Sequence, residues 1–205
     1  MAPAYKLIYF PVRGRAEHLR LMFVYAKVAY EDVKISKEEW EKLKPSTPWG
    51  QLPVLEIDGV MVEQSIPLAR YLAKQFKLDG KDDLERLQAD VFVAHLDDLK
   101  NQFGTLLREQ DPDKKKEILK NLQKDVFPAF FEKLEKRVAK NGFSVSNSIL
   151  WSDILLSALL EALMIKNILG DDFATKYPNL VRVKDTVFNT PDVKAYLAKR
   201  PHTEI

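Results

Sequence analysis

The chain has 205 residues, 46% of them hydrophobic and 30% charged, which is enough apolar content for one or two domains with a real core. Its net charge is only +2, so charge gives no reason to expect nucleic acid or membrane binding. No apolar run reaches the length needed to span a bilayer. The absence of cysteine excludes disulfides, a catalytic thiolate from the chain itself and cysteine-bound metal.

The first part of the chain predicts a strand, a helix and a second strand. Large β-forming side chains alternate over Tyr5–Phe10, and Pro11 ends that strand. Apolar side chains recur at helical spacing over residues 14–27, and strand-like alternation returns over residues 28–35. Residues 36–52 are mostly polar and predict a loop.

A hairpin and a helix start follow directly. Two β-prone runs, residues 54–57 and 60–63, flank Asp58-Gly59, and a two-residue Asp-Gly is the strongest short hairpin signal. Ser65 then precedes a helical pattern over residues 66–76. The order of strand, helix, strand, loop, two strands and helix is that of a thioredoxin-like domain, although the usual Cys-x-x-Cys pair is missing.

Beyond this point the pattern is helical only. Helices are predicted over residues 83–108, 114–140, 149–169, 178–189 and 191–199. We therefore predict an α/β plus all-α architecture, with a thioredoxin-like domain over residues 1–77, a linker over 78–82 and a C-terminal helical bundle domain over 83–205. Residues 1–5 lack the apolar stretch of a signal peptide, so we expect a soluble cytoplasmic protein.

The junction between the hairpin and the next helix is a candidate anion site. A strand that leads straight into a helix points backbone N–H groups and a positive dipole end outward, and Gln64 and Ser65 add side-chain donors there. Such a site suits a small carboxylate. The alternative is that Ser65 only caps the helix and Gln64 only ends the strand, and the local pattern alone favours that interpretation.

The stretch around this junction resembles the glutathione-binding half of a cytosolic glutathione S-transferase. The motifs are Gly50-Gln51-Leu52-Pro53-Val54-Leu55, Asp58-Gly59 and Gln64-Ser65. The opening residues Tyr5–Phe10 and Arg13–Glu17 resemble the sigma class, which includes invertebrate transferases, a haematopoietic prostaglandin D synthase and lens S-crystallins. The resemblance covers essentially the whole chain and is most specific in its first third.

By this resemblance Tyr9 and Arg15 are the catalytic residues. The phenol of Tyr9 would donate a hydrogen bond to the sulfur of glutathione, and Arg15 would place a positive charge nearby. Lowering a thiol pKa of roughly 8.5 by about two units takes about 2.7 kcal/mol, which one hydrogen bond to an anion can supply. The alternatives are a half-buried strand tyrosine and a surface arginine. Arg13 is expected to be solvated.

Further glutathione contacts are implied by the same resemblance. They run from the glycine end to the γ-glutamyl end of the tripeptide: Trp40, Lys44, Gln51, Leu52, Pro53, Gln64 and Ser65. The first two match residues that hold the glycine end, and the Leu52 backbone matches the group that pairs with the cysteinyl part. The last two match the residues that hold the γ-glutamyl carboxylate. Pro53 matches a proline that is cis in this family.

Asp98 ends a helical stripe of apolar residues formed by Leu84, Leu87, Val91 and Ala94. A carboxylate on an apolar face needs a partner, whereas the neighbouring Asp97 is expected to be more solvated. In the sigma class the matching Asp reaches across a homodimer interface to the glutathione of the partner subunit. The alternative is a cap or salt bridge within one subunit.

The resemblance also implies a pocket for a second, hydrophobic substrate. Its candidate residues are Phe10, Val12, Gly14, Phe103, Leu107, Leu155 and Leu159. Nearly all are apolar side chains whose ordinary role is core packing. Where the prostaglandin synthase carries a bulky aromatic residue, this chain has Gly104-Thr105, which argues against prostaglandin specificity.

Asp153 is a structural candidate in the most apolar predicted helix. The family pairs it with Ser or Thr in a reciprocal capping box, but this chain has Leu150 at that position. Because a lost cap typically costs about 0.5–2 kcal/mol, Leu150→Thr is expected to raise the melting temperature unless another residue, such as Ser148, replaces the cap.

These observations favour a glutathione transferase that conjugates the thiolate to small hydrophobic electrophiles, with peroxide reduction as a side activity. The alternatives are a glutathione-dependent prostaglandin D synthase and a non-catalytic S-crystallin-like or ligand-binding protein. Glutathione would be a co-substrate of a homodimer. His18, His95 and His202 share no metal-ligand spacing, so no metal is expected.

Overall fold

The computed structural model describes residues 3–203. The chain forms two compact units, one from residues up to 78 and again from 189 onward, the other from residues 79–188. The C-terminal segment therefore belongs to the first unit, whereas the sequence analysis assigns it to the helical domain. The reason is a set of ion pairs between residues far apart in sequence: Lys27 pairs with Asp192 at 2.9 Å, and Arg200 pairs with the buried Glu17 at 2.5 Å.

A four-stranded mixed sheet forms the centre of the first unit. Its strands are β1 (Tyr5–Tyr9), β2 (Glu31–Lys34), β3 (Val54–Ile57) and β4 (Val60–Glu63), in the order β2-β1-β3-β4. β2 runs parallel to β1, while β3 is antiparallel to both β1 and β4. Three helices of this unit are α1 (Glu17–Ala26), α2 (Lys37–Leu43) and α3 (Ser65–Gln75). This arrangement confirms the thioredoxin-like order.

Helix α2 lies where the sequence analysis predicts a loop. Ser36 begins it with a reciprocal capping box: Ser36 Oγ accepts from the Glu39 N–H at 3.1 Å, and Glu39 Oε2 accepts from the Ser36 N–H at 2.7 Å. A single 3₁₀ turn, Lys44–Ser46, follows. The capping signal was present in the sequence, but a seven-residue helix with only two large apolar residues, Trp40 and Leu43, is too short to show a clear period.

The second unit is helical. Its helices are α4 (Asp83–Arg108), α5 (Pro112–Asn121), α6 (Phe127–Asn141), α7 (Trp151–Ile165), α8 (Phe173–Lys176) and α9 (Pro178–Phe188), and α10 (Pro191–Lys199) then returns to the first unit. The predicted helix over 114–140 is two α-helices joined by a π-helical turn, Leu122–Val126. Helix α7 is buried along nearly its whole length and packs against α4 and α9. Within residues 3–203, no helix combines the length and hydropathy that a membrane span requires.

The start of α7 changes the expectation for Leu150. Its backbone N–H donates to Asp153 Oδ2 at 2.9 Å, and its carbonyl oxygen already accepts from the Asp153 N–H at 3.0 Å. The Leu150 side chain is itself buried. Ser148 does not act as the cap, because its hydroxyl is exposed and bonds to Ser146 Oγ.

We therefore expect Leu150→Thr to lower the melting temperature rather than to raise it. The substitution removes about 1.5–3 kcal/mol of stabilisation from apolar burial. A threonine hydroxyl acting as a cap would contribute about 1 kcal/mol, but the Asp153 N–H to which it would bond already donates to the Leu150 carbonyl oxygen. Thermal unfolding followed by circular dichroism measures the change. Leu150→Met, which keeps the apolar volume, should stay close to the wild type. A higher melting temperature for Leu150→Thr would show that the cap outweighs the burial.

Candidate functional site

Tyr9 ends β1, and its phenol meets the start of the following helical segment. The backbone N–H of Arg15 donates a hydrogen bond to Tyr9 Oη, with the two atoms 3.1 Å apart. A phenol oxygen that accepts one hydrogen bond still carries its own proton. Tyr9 therefore keeps a hydrogen-bond donor for a further acceptor, and its side chain is only partly buried.

Gly14 allows this close approach. A β-carbon at position 14 would lie 2.7 Å from Tyr9 Oη, closer than real β-carbons come to other atoms. The residue also has a φ of +44°, in the left-handed region that favours glycine. Any side chain here would displace the phenol or the loop that carries Arg15.

The two arginines of this loop have different surroundings, and the expectation that Arg13 is solvated is wrong. Arg15 is partly exposed and supplies its backbone N–H to Tyr9. Arg13, expected to be solvated, is buried: its Nε donates to Thr203 Oγ1 at 3.1 Å, and its Nη2 donates to the Thr203 carbonyl. The partner lies 190 residues further along the chain, so no local pattern could have revealed it.

Arg20 also holds this loop, and the sequence analysis missed it. Its Nη1 donates to the Val12 carbonyl at 2.9 Å, and its guanidinium carbon lies 5.9 Å from the centroid of the Tyr9 ring. Burial lowers the pKa of Arg20, but Asp32 and Glu17 outweigh that effect and raise it. A permanently charged, buried guanidinium therefore lies against the ring of Tyr9.

Gln51 and Gln64 come together at the end of β4. Gln64 Nε2 donates to Gln51 Oε1 at 2.7 Å. Gln64 has a φ of +77°, which is rare for a residue with a side chain and typically costs about 1–3 kcal/mol. Ser65 is the first residue of α3, so it does not precede the helix as a cap. It is also buried. Strained backbone of this kind is concentrated at functional sites.

The segment before β3 carries the remaining candidates of the first unit. The Leu52–Pro53 peptide is cis, as the resemblance implies. Trp40 and Leu52 pack against the small buried cluster of Ile8, Ile35 and Val54. Lys44 begins the 3₁₀ turn that leads towards Gly50.

Two buried polar residues support this site without having been predicted. Glu63 Oε1 accepts from the Trp49 N–H at 3.2 Å and so ties the loop before Gln51 to β4. His18 Nε2 lies 3.3 Å from the Ser65 carbonyl oxygen, and since a carbonyl only accepts, His18 is the donor. His18 thereby links α1 to the first turn of α3.

The candidates in the second unit have mixed surroundings. Phe103, Leu155 and Leu159 are buried within the helical unit, whereas Leu107 is partly exposed. Asp98 is exposed, and Asp97, expected to be the more solvated of the two, is partly buried. In the part of the chain that the structure describes, no group of three or more His, Asp or Glu side chains is arranged to hold a metal.

A thioredoxin-like unit without a cysteine pair, followed by a helical unit, defines a class of two-domain proteins. Residues 5–74 match the family described as "Glutathione S-transferase, N-terminal domain", and residues 97–200 match "Glutathione S-transferase, C-terminal domain". The chain belongs to the glutathione S-transferase family, a family of enzymes that use glutathione as a substrate.

Individual relatives match over almost their whole length. A glutathione S-transferase of Anopheles gambiae is 38% identical over 99% of this chain and 100% of its own. A hematopoietic prostaglandin D synthase of Mus musculus is 36% identical over 99% of this chain and 100% of its own. The solved structure of prostaglandin synthase D of Nilaparvata lugens is similar with a TM-score of 0.89 and 35% identity, covering 98% of this chain and 100% of that one.

Proposed function

We propose that this protein is a sigma-class glutathione transferase that holds the glutathione thiol as a thiolate and conjugates it to small hydrophobic electrophiles. The observation that carries the proposal is the phenol of Tyr9, which accepts the Arg15 N–H at 3.1 Å and keeps its own proton for donation. A hydrogen bond to a charged acceptor contributes about 1.5–3 kcal/mol, enough to lower a thiol pKa by about two units. Arg15 and Tyr9 are the proposed catalytic residues.

The chemistry needs only this activated thiolate. Its sulfur attacks an electrophilic carbon and forms a carbon–sulfur bond. At an aryl halide the halide ion leaves, and at an enal the β-carbon is attacked and the α-carbon then takes a proton from water. The thiol proton is released to solvent when the thiolate forms.

The glutathione contacts proposed from the resemblance all belong to the first unit. We propose that Gln64 and Ser65 bind the γ-glutamyl carboxylate, supported by the start of α3 at Ser65 and by the Gln51–Gln64 hydrogen bond of 2.7 Å. The remaining contacts are the Leu52 backbone before the cis Pro53, with Trp40 and Lys44 at the glycine end.

His18 gives a prediction about this binding set. We expect His18→Leu to raise the KM for glutathione roughly two- to tenfold, with little change in kcat, because it removes one hydrogen bond that holds the first turn of α3. Steady-state kinetics with varied glutathione measures both constants. His18→Gln keeps an amide donor and should remain closer to the wild type. If both variants lowered kcat and left KM unchanged, His18 would not act through the glutathione site.

We further propose a cytoplasmic homodimer in which Asp98 contacts the glutathione of the partner subunit. The apolar stripe of α4 supports this proposal: Leu84 and Leu87 are 64% and 58% exposed, Val91 is also exposed, and Asp98 ends the stripe. The cytoplasm is where glutathione keeps thiols reduced. A monomer at micromolar concentration in sedimentation equilibrium would contradict the dimer.

The candidates for the hydrophobic substrate are proposed from the resemblance, unit by unit. In the first unit they are Gly14 with the partly exposed Phe10 and Val12. In the second unit they are the partly exposed Leu107 with the buried Phe103, Leu155 and Leu159. A second candidate function is prostaglandin D synthesis, which the similarity to the Mus musculus and Nilaparvata lugens proteins favours. Gly104-Thr105 in place of a bulky aromatic residue argues for the broader transferase.

The experiment that tests the proposal is a pH titration of bound glutathione. The ultraviolet absorbance of the thiolate is followed for glutathione alone and for glutathione with a stoichiometric amount of protein. We expect the pKa of the bound thiol to lie about two units below that of the free thiol, together with conjugation of 1-chloro-2,4-dinitrobenzene. Tight binding with an unshifted thiol pKa would instead indicate a storage or S-crystallin-like protein.

A further inference from the structure

Glu63, the last residue of β4, carries a buried carboxylate. Only 4% of the residue is exposed. Its Oε1 accepts from the Trp49 N–H at 3.2 Å, whereas its Oε2 is buried and has no hydrogen-bond partner among the residues that the structure describes. A buried carboxylate oxygen without a partner destabilises a fold, because it has lost its water and gained nothing in exchange. Stability therefore does not explain why a glutamate stands here.

The place of Glu63 in the hairpin is informative. The next two residues along the chain are the proposed glutathione contacts Gln64 and Ser65, and Gln64 has the unusual φ of +77°. Across the hairpin, Glu63 pairs with Val54. Val54 directly follows the proposed contacts at residues 51–53. Glu63 thus lies where the two parts of the proposed glutathione set adjoin.

Three links hold the segment 49–54 against the end of β4: the Trp49 N–H on Glu63 Oε1, the Gln51–Gln64 hydrogen bond of 2.7 Å, and the β3–β4 ladder at Val54. The Gln51–Gln64 bond joins exposed side chains, which are free to rearrange. Glu63 reaches Trp49 from a buried position, where close packing restricts its rotamers. Its hydrogen bond therefore fixes the place at which the segment begins.

We propose that Glu63 is a positioning residue for glutathione. Its carboxylate holds the backbone of Trp49, and so holds the following segment, with Gln51 and Leu52, in the arrangement that the tripeptide requires. Because the segment is ordered before the ligand arrives, binding has less conformational entropy to overcome. Glu63 acts through the backbone and does not touch the sulfur, so the thiol pKa depends on Tyr9 instead. The inference rests on the proposed transferase function.

Calorimetric titration with glutathione tests the inference on two variants. Glu63→Leu removes the acceptor of the Trp49 N–H and is expected to raise the Kd roughly tenfold. Glu63→Gln keeps a side-chain carbonyl oxygen for that N–H and should stay within about threefold of the wild type. Glu56→Leu is the matched control, because it removes a carboxylate from β3 of the same hairpin, where Glu56 pairs with Lys6 at 3.6 Å. It should change the Kd less than about twofold.

Two further readouts separate positioning from a structural role. Glu63→Leu should melt at or above the temperature of the wild type, because an apolar side chain replaces a buried carboxylate with an unpartnered oxygen. In steady-state kinetics with 1-chloro-2,4-dinitrobenzene, the KM for glutathione should rise together with the Kd. The KM for the electrophile and the pKa of the bound thiol should not change.

Amide exchange follows the hydrogen bond itself without any ligand. The chain has three tryptophans, so ¹⁵N-tryptophan labelling gives three backbone signals, and Trp49→Phe identifies the signal of Trp49. We expect Glu63→Leu to speed exchange of the Trp49 N–H roughly tenfold. The N–H of Trp40, which donates to the Ser36 carbonyl at 3.0 Å, should exchange as in the wild type.

Each measurement has an outcome that would overturn the inference. These outcomes are an unchanged Kd in Glu63→Leu, an equal loss in Glu56→Leu, no recovery in Glu63→Gln, a lower melting temperature, or unchanged exchange at Trp49. A wild type that binds no glutathione would overturn the proposed function together with the inference. A wild type that binds glutathione no better than Glu63→Leu does would overturn the inference alone.

Discussion

Replacing Tyr9 with phenylalanine is expected to raise the pKa of the bound glutathione thiol by about two units and to lower kcat/KM at pH 7 roughly 25- to 50-fold. The substitution removes one hydroxyl and leaves the ring in place. At pH 7 a thiol with a pKa of roughly 8.5–9 is ionised to a few per cent at most, whereas the stabilised thiol is at least about half ionised. The rate is expected to fall in proportion to the fraction of bound glutathione that is present as thiolate.

The pH profile makes this prediction specific. Because Tyr9 is proposed to act only through ionisation of the thiol, the rates of variant and wild type should converge as the pH rises above roughly 9. Tyr30→Phe is the matched control, since it removes the same hydroxyl from a ring that stacks on Phe23 at a centroid distance of 4.4 Å in the same unit. A deficit of equal size at every pH would mean that Tyr9 does not act by holding the thiolate.

Replacing Asp153 with asparagine is expected to lower the free energy of unfolding by about 2 kcal/mol at pH 7. The carboxylate is fully buried, and its two oxygens accept from the N–H groups of Ser144 at 2.8 Å and Leu150 at 2.9 Å. Asparagine keeps the shape but has one oxygen, so its amide group would face one of these donors. Urea denaturation measures the change, and the exposed Asp171→Asn should stay within about 0.5 kcal/mol of the wild type.

The effect of pH on this variant has a definite sign. Burial raises the pKa of Asp153 to about 6, against the opposing effect of its N–H partners. A group whose pKa is raised on folding binds its proton more tightly in the native state, so its contribution to stability is full below roughly pH 4 and is lost as the pH rises through about 6. The difference between wild type and Asp153→Asn should therefore widen as the pH falls from 7 to 4. A difference that narrows would contradict the raised pKa.

Local chemistry made several elements of the fold predictable. The Asp58-Gly59 turn, with φ values of +49° and +86°, places β3 and β4 at the predicted residues. Helix α4 has the predicted bounds because both ends carry local signals: Asp82 Oδ1 accepts from the Glu85 N–H at 2.9 Å, and Asp111-Pro112 starts the next helix. Signals of this kind act over a few residues and can be found in the sequence alone.

Contacts distant in sequence were not predictable in the same way. The burial of Arg13 depends on Thr203, and the burial of Glu17 depends on Tyr196 and Arg200. In sequence each arginine and glutamate looks like an ordinary surface residue of a first helical turn. At the candidate site the same limit applied to His18, whose carbonyl partner on Ser65 is 47 residues away.

The return of α10 to the first unit has a consequence for the order in which the protein is made. The first unit is completed by residues 189–203, which are synthesised only after all of residues 79–188. At about 5–20 residues per second, the intervening residues 79–188 take roughly 5 to 20 seconds to synthesise. During that interval the carboxylate of Glu17 lacks Tyr196 and Arg200 as partners. The first unit is thus complete only once α10 has been synthesised, and a nascent chain that stalls before α10 leaves this carboxylate uncovered.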